Sequence, residues 1–107
     1  MPNLFSTKFN FTLPIGLPDV QGRIDRDGIM RLATGLDEIQ VQKDPLVRED
    51  PEYGILVRFS KTIDQLGQLA PVPPEQLEQL FLKDFFYLLD FYNSINSTGM
   101  EEFGAGE

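Results

Sequence analysis

The sequence has no cysteine, no histidine and no tryptophan, and the first two absences each remove a class of chemistry. Without thiols there is no disulfide framework and no thiolate nucleophile. Without imidazole the usual neutral-pH base is missing, and with cysteine also gone no zinc-finger ligand set can be assembled. No apolar run approaches the roughly 20 residues that span a bilayer. Residues 1–10 lack the basic-then-apolar order of a secretory signal, so a cytoplasmic protein with no membrane partner is expected. Basic side chains are scarce as well: 9 Lys and Arg against 17 Asp and Glu leave a formal net charge of -8 at pH 7. Such a surface repels phosphate backbones at long range, which argues against nucleic acid as a partner.

What is present is ordinary globular material. A length of 107 residues with 41% hydrophobic and 24% charged side chains fits one domain with one core. A chain of this size buries roughly 65% of its unfolded surface, enough to fold without staples. The single domain spans 1–107, with 1–7 and 98–107 expected as flexible tails. Residues 75–107 carry six of the eight net negative charges, which reads as a solvated acidic face or as steering for a basic partner.

Hydropathy patterning predicts an α+β fold, with a small antiparallel N-terminal sheet of two or three strands followed by about three helices. Phe9, Phe11 and Leu13 alternate with Lys8, Asn10 and Thr12, the period-two signature of a half-buried strand that Pro14, Gly16 and Pro18 would end. Asp27-Gly28 is a local signal for a tight turn between strands at 23–25 and 29–33. Thr34 with Asp37 three residues on suggests a helix N-cap, although Ile39 and Val41 alternate as in a strand, and 36–43 fits either. Asp44-Pro45 and Asp50-Pro51 mark a break. Over 52–66, Ile55, Leu56, Phe59, Ile63 and Leu66 form one helical stripe, with Gly67 placed as a left-handed C-cap. Pro74 opens a short helix in which Leu77, Leu80 and Phe81 share a face.

The last predicted helix covers about 84–96, with Phe85, Leu88, Leu89, Tyr92 and Ile95 as its core stripe. Phe86, Tyr87 and Phe91 fall outside that stripe. Three aromatic rings off the core face make an apolar patch of the kind that contacts another chain. The alternative is that the sheet or the proline-rich loop wraps a second side of this helix.

Catalytic and metal motifs fail on their spacing. Aligning Gly28 with the sixth position of a calcium loop puts Arg23 and Thr34 where carboxylates are required. Gly16, Gly22 and Gly28 are too far apart for a phosphate-binding loop. No nucleophile and base pair stands out, so no enzyme, cofactor or metal is expected. Arg31 and Arg58 are the basic residues weighed as anion or partner contacts, against simple solvation or loose pairing.

Taken together, Phe11-Thr12-Leu13-Pro14, the block Gly28-Ile29-Met30-Arg31-Leu32-Ala33-Thr34-Gly35-Leu36-Asp37-Glu38-Ile39, Asp44-Pro45-Leu46-Val47-Arg48, Pro51-Glu52-Tyr53, Leu66-Gly67 and the stretch from Leu80-Phe81 through Asp84 to Tyr92-Asn93-Ser94-Ile95-Asn96 resemble a known pattern. The chain is similar to phage tail assembly chaperone-like proteins encoded beside phage tail and contractile injection system genes. That resemblance, over about 9–99, implies a non-enzymatic helper that binds another tail protein, the tape measure or a tube subunit, before or during particle assembly. Two further functions stand beside it: a structural subunit of the finished particle, and an acidic decoy that blocks a basic nucleic-acid-binding enzyme. For the first, Phe86, Tyr87 and Phe91 are the candidate partner contacts.

Overall fold

The computed structural model describes residues 7–97. Both expected tails, apart from Thr7, lie outside the described residues. The fold is α+β: a three-stranded antiparallel sheet ordered β1-β2-β3, with the helices packed on and around it.

Strand β1 runs Lys8–Pro18 and pairs with β2, Ile24–Arg31. Phe11 and Leu13 are buried while Lys8, Asn10 and Thr12 are exposed, as alternation requires. The strand does not end at Pro14. It continues through a register shift between Thr12 and Leu17, the kind of bulge that tolerates proline because the ladder is already interrupted there. Gly16 sits in this irregularity at φ +120°, where a Cβ would collide with the Ile24 side chain; only glycine fits.

The hairpin turn also lies elsewhere than expected. Asp27 and Gly28 are inside β2, opposite Thr12 and Phe11. The chain reverses at residues 19–23, where Asp19 accepts the Gln21 and Arg23 N–H groups at 2.8 Å each, an Asx-type turn. Gly28 serves a different need. The Phe11 ring lies against its Cα, and a Cβ there would strike both that ring and the Gln65 carbonyl.

Capping decides the next segment. Thr34 accepts from the Asp37 N–H and the Asp37 carboxylate accepts from the Thr34 N–H, a reciprocal capping box that opens α1, Gly35–Lys43. The 36–43 segment is therefore helical, with Val41 buried and Ile39 exposed. Each Asp-Pro pair starts a short turn: Asp44 caps α2, Pro45–Glu49, and Asp50 caps a 3₁₀ turn at Pro51–Tyr53.

The helix expected across 52–66 is cut short. Helix α3 covers Gly54–Thr62, and Ile63–Leu66 forms β3, which pairs with β2 through Gly28↔Leu66 and Met30↔Ile63. The β-branched Ile63 suits extended backbone, and the free edge of β2 supplies the hydrogen bonds. Gly67 is left-handed, at φ +58°, but it closes a turn after a strand instead of capping a helix. Helix α4 is only Pro74–Leu77, and α5 spans Leu82–Asn96.

The main core joins Phe11, Leu13, Leu17 and Met30 of the sheet to Phe59 of α3, Ile63 and Leu66 of β3, Val72, Leu77 and Leu88 of α5. A smaller cluster of Val41, Val47 and Val57, with Tyr53 against it, holds α1 and α2 on α3. Val57 was not part of the expected stripe; α3 buries two sides because it has two neighbours.

Candidate functional site

Helix α5 carries all three candidate aromatic residues, and the sheet treats them differently. Leu88 is fully buried, and Phe85 and Tyr92 meet Phe59 of α3 edge to face, with ring centroids 6.0 and 6.1 Å apart. The expected stripe thus packs inward. Tyr87 and Phe91, expected off the core, are half-buried against β1: Phe91 meets Phe11 at 5.7 Å, Tyr87 stacks on Phe91 at 6.0 Å, and the Tyr87 hydroxyl accepts the Thr12 N–H. The reason is topological, since β1 lies along a second side of α5. Phe86 alone of the three is exposed, at 55%.

Asp84 explains how the helix is held there. Counted by sequence with the acidic face, it is instead completely buried, and its two oxygens accept the Ile15 N–H at 2.9 Å and the Gly16 N–H at 2.8 Å. Those are the backbone donors that the irregularity in β1 turns away from β2. The carboxylate also occupies the first turn of α5, where the helix dipole favours negative charge.

Fixing α5 in this way leaves its N-terminal end projecting beside α3 and α4. A shallow groove of about 260 Å³ runs there, with an apolar floor of Ile55, Leu56, Leu77, Leu80, Leu82 and Phe85 and with Glu52 and Glu78 at its rim. Leu82 is 70% exposed and Phe81 47%. The Phe86 ring packs on Phe85 at 5.4 Å, so the exposed ring continues the floor outward. Leu82, Phe86 and the groove make one apolar surface.

The rim is acidic and ordered. Tyr53 donates its hydroxyl hydrogen to Glu78 at 2.6 Å. The adjacent carboxylate holds the phenol neutral and pushes its pKa up to about 12. Among the described residues no Lys or Arg lines the groove.

The two arginines considered for anion binding are engaged inside the fold. Arg31 forms a bidentate pair with Asp37 at 2.8 and 2.9 Å and also donates to the Leu32 and Lys61 carbonyls. This pairing keeps the Asp37 carboxyl far below the usual carboxylate range and raises Arg31. Arg58 grips Glu38 through two hydrogen bonds, at 3.0 and 2.6 Å. Both pairs tie α1 to the body of the protein.

Among the described residues no group of three or more acids is placed to hold a metal ion, and no helix is long and apolar enough to cross a membrane. The groove was not legible in the sequence, because its floor comes from three separate segments with no common period. No protein family, curated protein or solved structure matches this chain.

Proposed function

We propose that this protein is a non-enzymatic assembly chaperone or accessory protein of a phage-tail-like contractile particle, acting in the cytoplasm by covering an apolar segment of another tail protein. The observation that carries the binding part is the exposed apolar surface of Leu82 and Phe86 continuous with the groove between α3, α4 and α5. Surfaces of this kind, ringed by charge, are where chains dock. The tail-assembly part rests on the sequence pattern alone. The net charge of -8 suits a holder that keeps an aggregation-prone client dispersed.

Phe86 and Leu82 are the client contacts on this reading, while Tyr87 and Phe91 shape the helix from behind. The test is co-expression with the tube and tape-measure proteins of such a particle. The wild-type chain is expected to co-purify with one of them. The double variant Leu82→Ser, Phe86→Ser is expected to fold and to lose the client. Undiminished co-purification of that variant overturns the groove as the contact, and purified particles containing the chain in stoichiometric amount favour a structural subunit over a chaperone.

A further inference from the structure

The rim of the groove specifies what kind of segment it accepts, if the groove is the client site as proposed above. Its floor is a strip of aliphatic and aromatic side chains from α3, α4 and the start of α5, open to solvent along its length. Both ionisable groups lining it are carboxylates, Glu52 and Glu78, and Glu78 is held in place by the Tyr53 hydroxyl. The only base next to the patch in sequence is Lys83. We propose that the groove takes an amphipathic helix whose apolar stripe lies on Leu82, Phe85 and Phe86 and whose flanking Lys or Arg side chains pair with Glu52 and Glu78. An amphipathic helix fits a shallow strip through anchors three and four residues apart. Basic flanks turn the acidic rim from a desolvation cost into an attraction that also speeds encounter.

The same charge argues against two other occupants. A second copy would bring two acidic rims together, and like charges across a contact destabilise it. Residues 98–107 carry Glu101, Glu102 and Glu107 with no base, so the chain's own terminal sequence is also mismatched.

The test uses the full chain and three synthetic probes: a Leu/Lys peptide patterned as an amphipathic helix, a peptide of the same composition with its order scrambled, and a peptide of residues 98–107. The patterned Leu/Lys peptide is expected to bind at least about tenfold more tightly than either of the others, a difference of roughly 1.4 kcal/mol. Its affinity should fall at least about tenfold in Leu82→Ser, Phe86→Ser, and by a few-fold in Glu52→Gln, Glu78→Gln with a flatter dependence on salt. Equal binding of the scrambled peptide overturns the proposal, because attraction to the overall charge then explains everything. So does tighter binding of the 98–107 peptide, or a concentration-dependent dimer in sedimentation that Phe86→Ser abolishes. If the peptides fail while co-purification still depends on Leu82 and Phe86, the basic-helix chemistry is wrong and the client-binding reading stands; if co-purification ignores those residues, the reading itself falls.

Discussion

Asp84 illustrates how far one side chain can depart from its apparent class. It is one of 17 acids, yet it alone is completely buried among the described acids and closes two backbone donors of β1. Asp84→Ala would strand both N–H groups in the interior, so a loss of about 3 kcal/mol is expected in denaturant unfolding. Asp37 couples a cap to an ion pair, and Asp37→Ala should cost about 2 kcal/mol from the lost capping box and the bonds to Arg31. Because folding depresses the Asp37 pKa, its contribution is complete above the ordinary value of 3.8 and is lost as pH falls through the lowered folded-state value. An unfolding series into acid should therefore show a steeper decline for wild type than for Asp37→Asn. Tyr53 runs the other way. Its pKa is raised, so the stabilisation is present below pH 10 and fades as pH rises toward about 12. Burial raises Tyr92 as well, so tyrosinate absorbance reads Tyr53 by difference: Glu78→Gln should move one group from near 12 back toward 10.0.

Elements here are set by junctions more than by average propensity. Helix α1 exists because Thr34 and Asp37 cap each other, although its apolar residues alternate. Helix α3 stops at Thr62 because the next residues find hydrogen bonds on the edge of β2. That competition is invisible to helical periodicity, which places Ile63 and Leu66 on the α3 stripe just as well as strand pairing places them in the core. Gly28 teaches a related lesson: Asp-Gly reads locally as a turn, but the glycine is there to admit the Phe11 ring across the sheet. Gly28→Ala is accordingly expected to destabilise by about 2 kcal/mol through overpacking of β1 against β2. Val20, 93% exposed at the tip of the hairpin, is the contrast; Val20→Ser should stay within about 0.5 kcal/mol of wild type. Thermal melts of the two variants side by side check both.

The molecule as a whole divides its apolar material between holding itself together and staying available. Leu88 lies in the core shared by sheet and helices, so Leu88→Ala should cost about 3 kcal/mol and shift one cooperative transition. Leu82 and Phe86 lie on the same helix and should show the opposite separation: serine at both leaves unfolding free energy nearly unchanged while client binding disappears. Were the double variant to unfold like Leu88→Ala, those side chains would be structural and the surface argument would end there.

Much of this was written in residue order. The alternation of Phe11 and Leu13 set a strand face, the Asp-Pro pairs marked a break, and the inward stripe Phe85, Leu88, Tyr92 followed from 3.6-residue rotation, because each depends on neighbours a few positions away. Which aromatic rings remained in water did not follow. Tyr87 and Phe91 are covered by β1, some 75 residues earlier in the chain, and the groove floor gathers α3, α4 and α5. Burial is a property of what packs opposite, and the opposite partner is chosen by long-range strand pairing and by the Asp84 tie, neither of which leaves a periodic mark on the segment it covers.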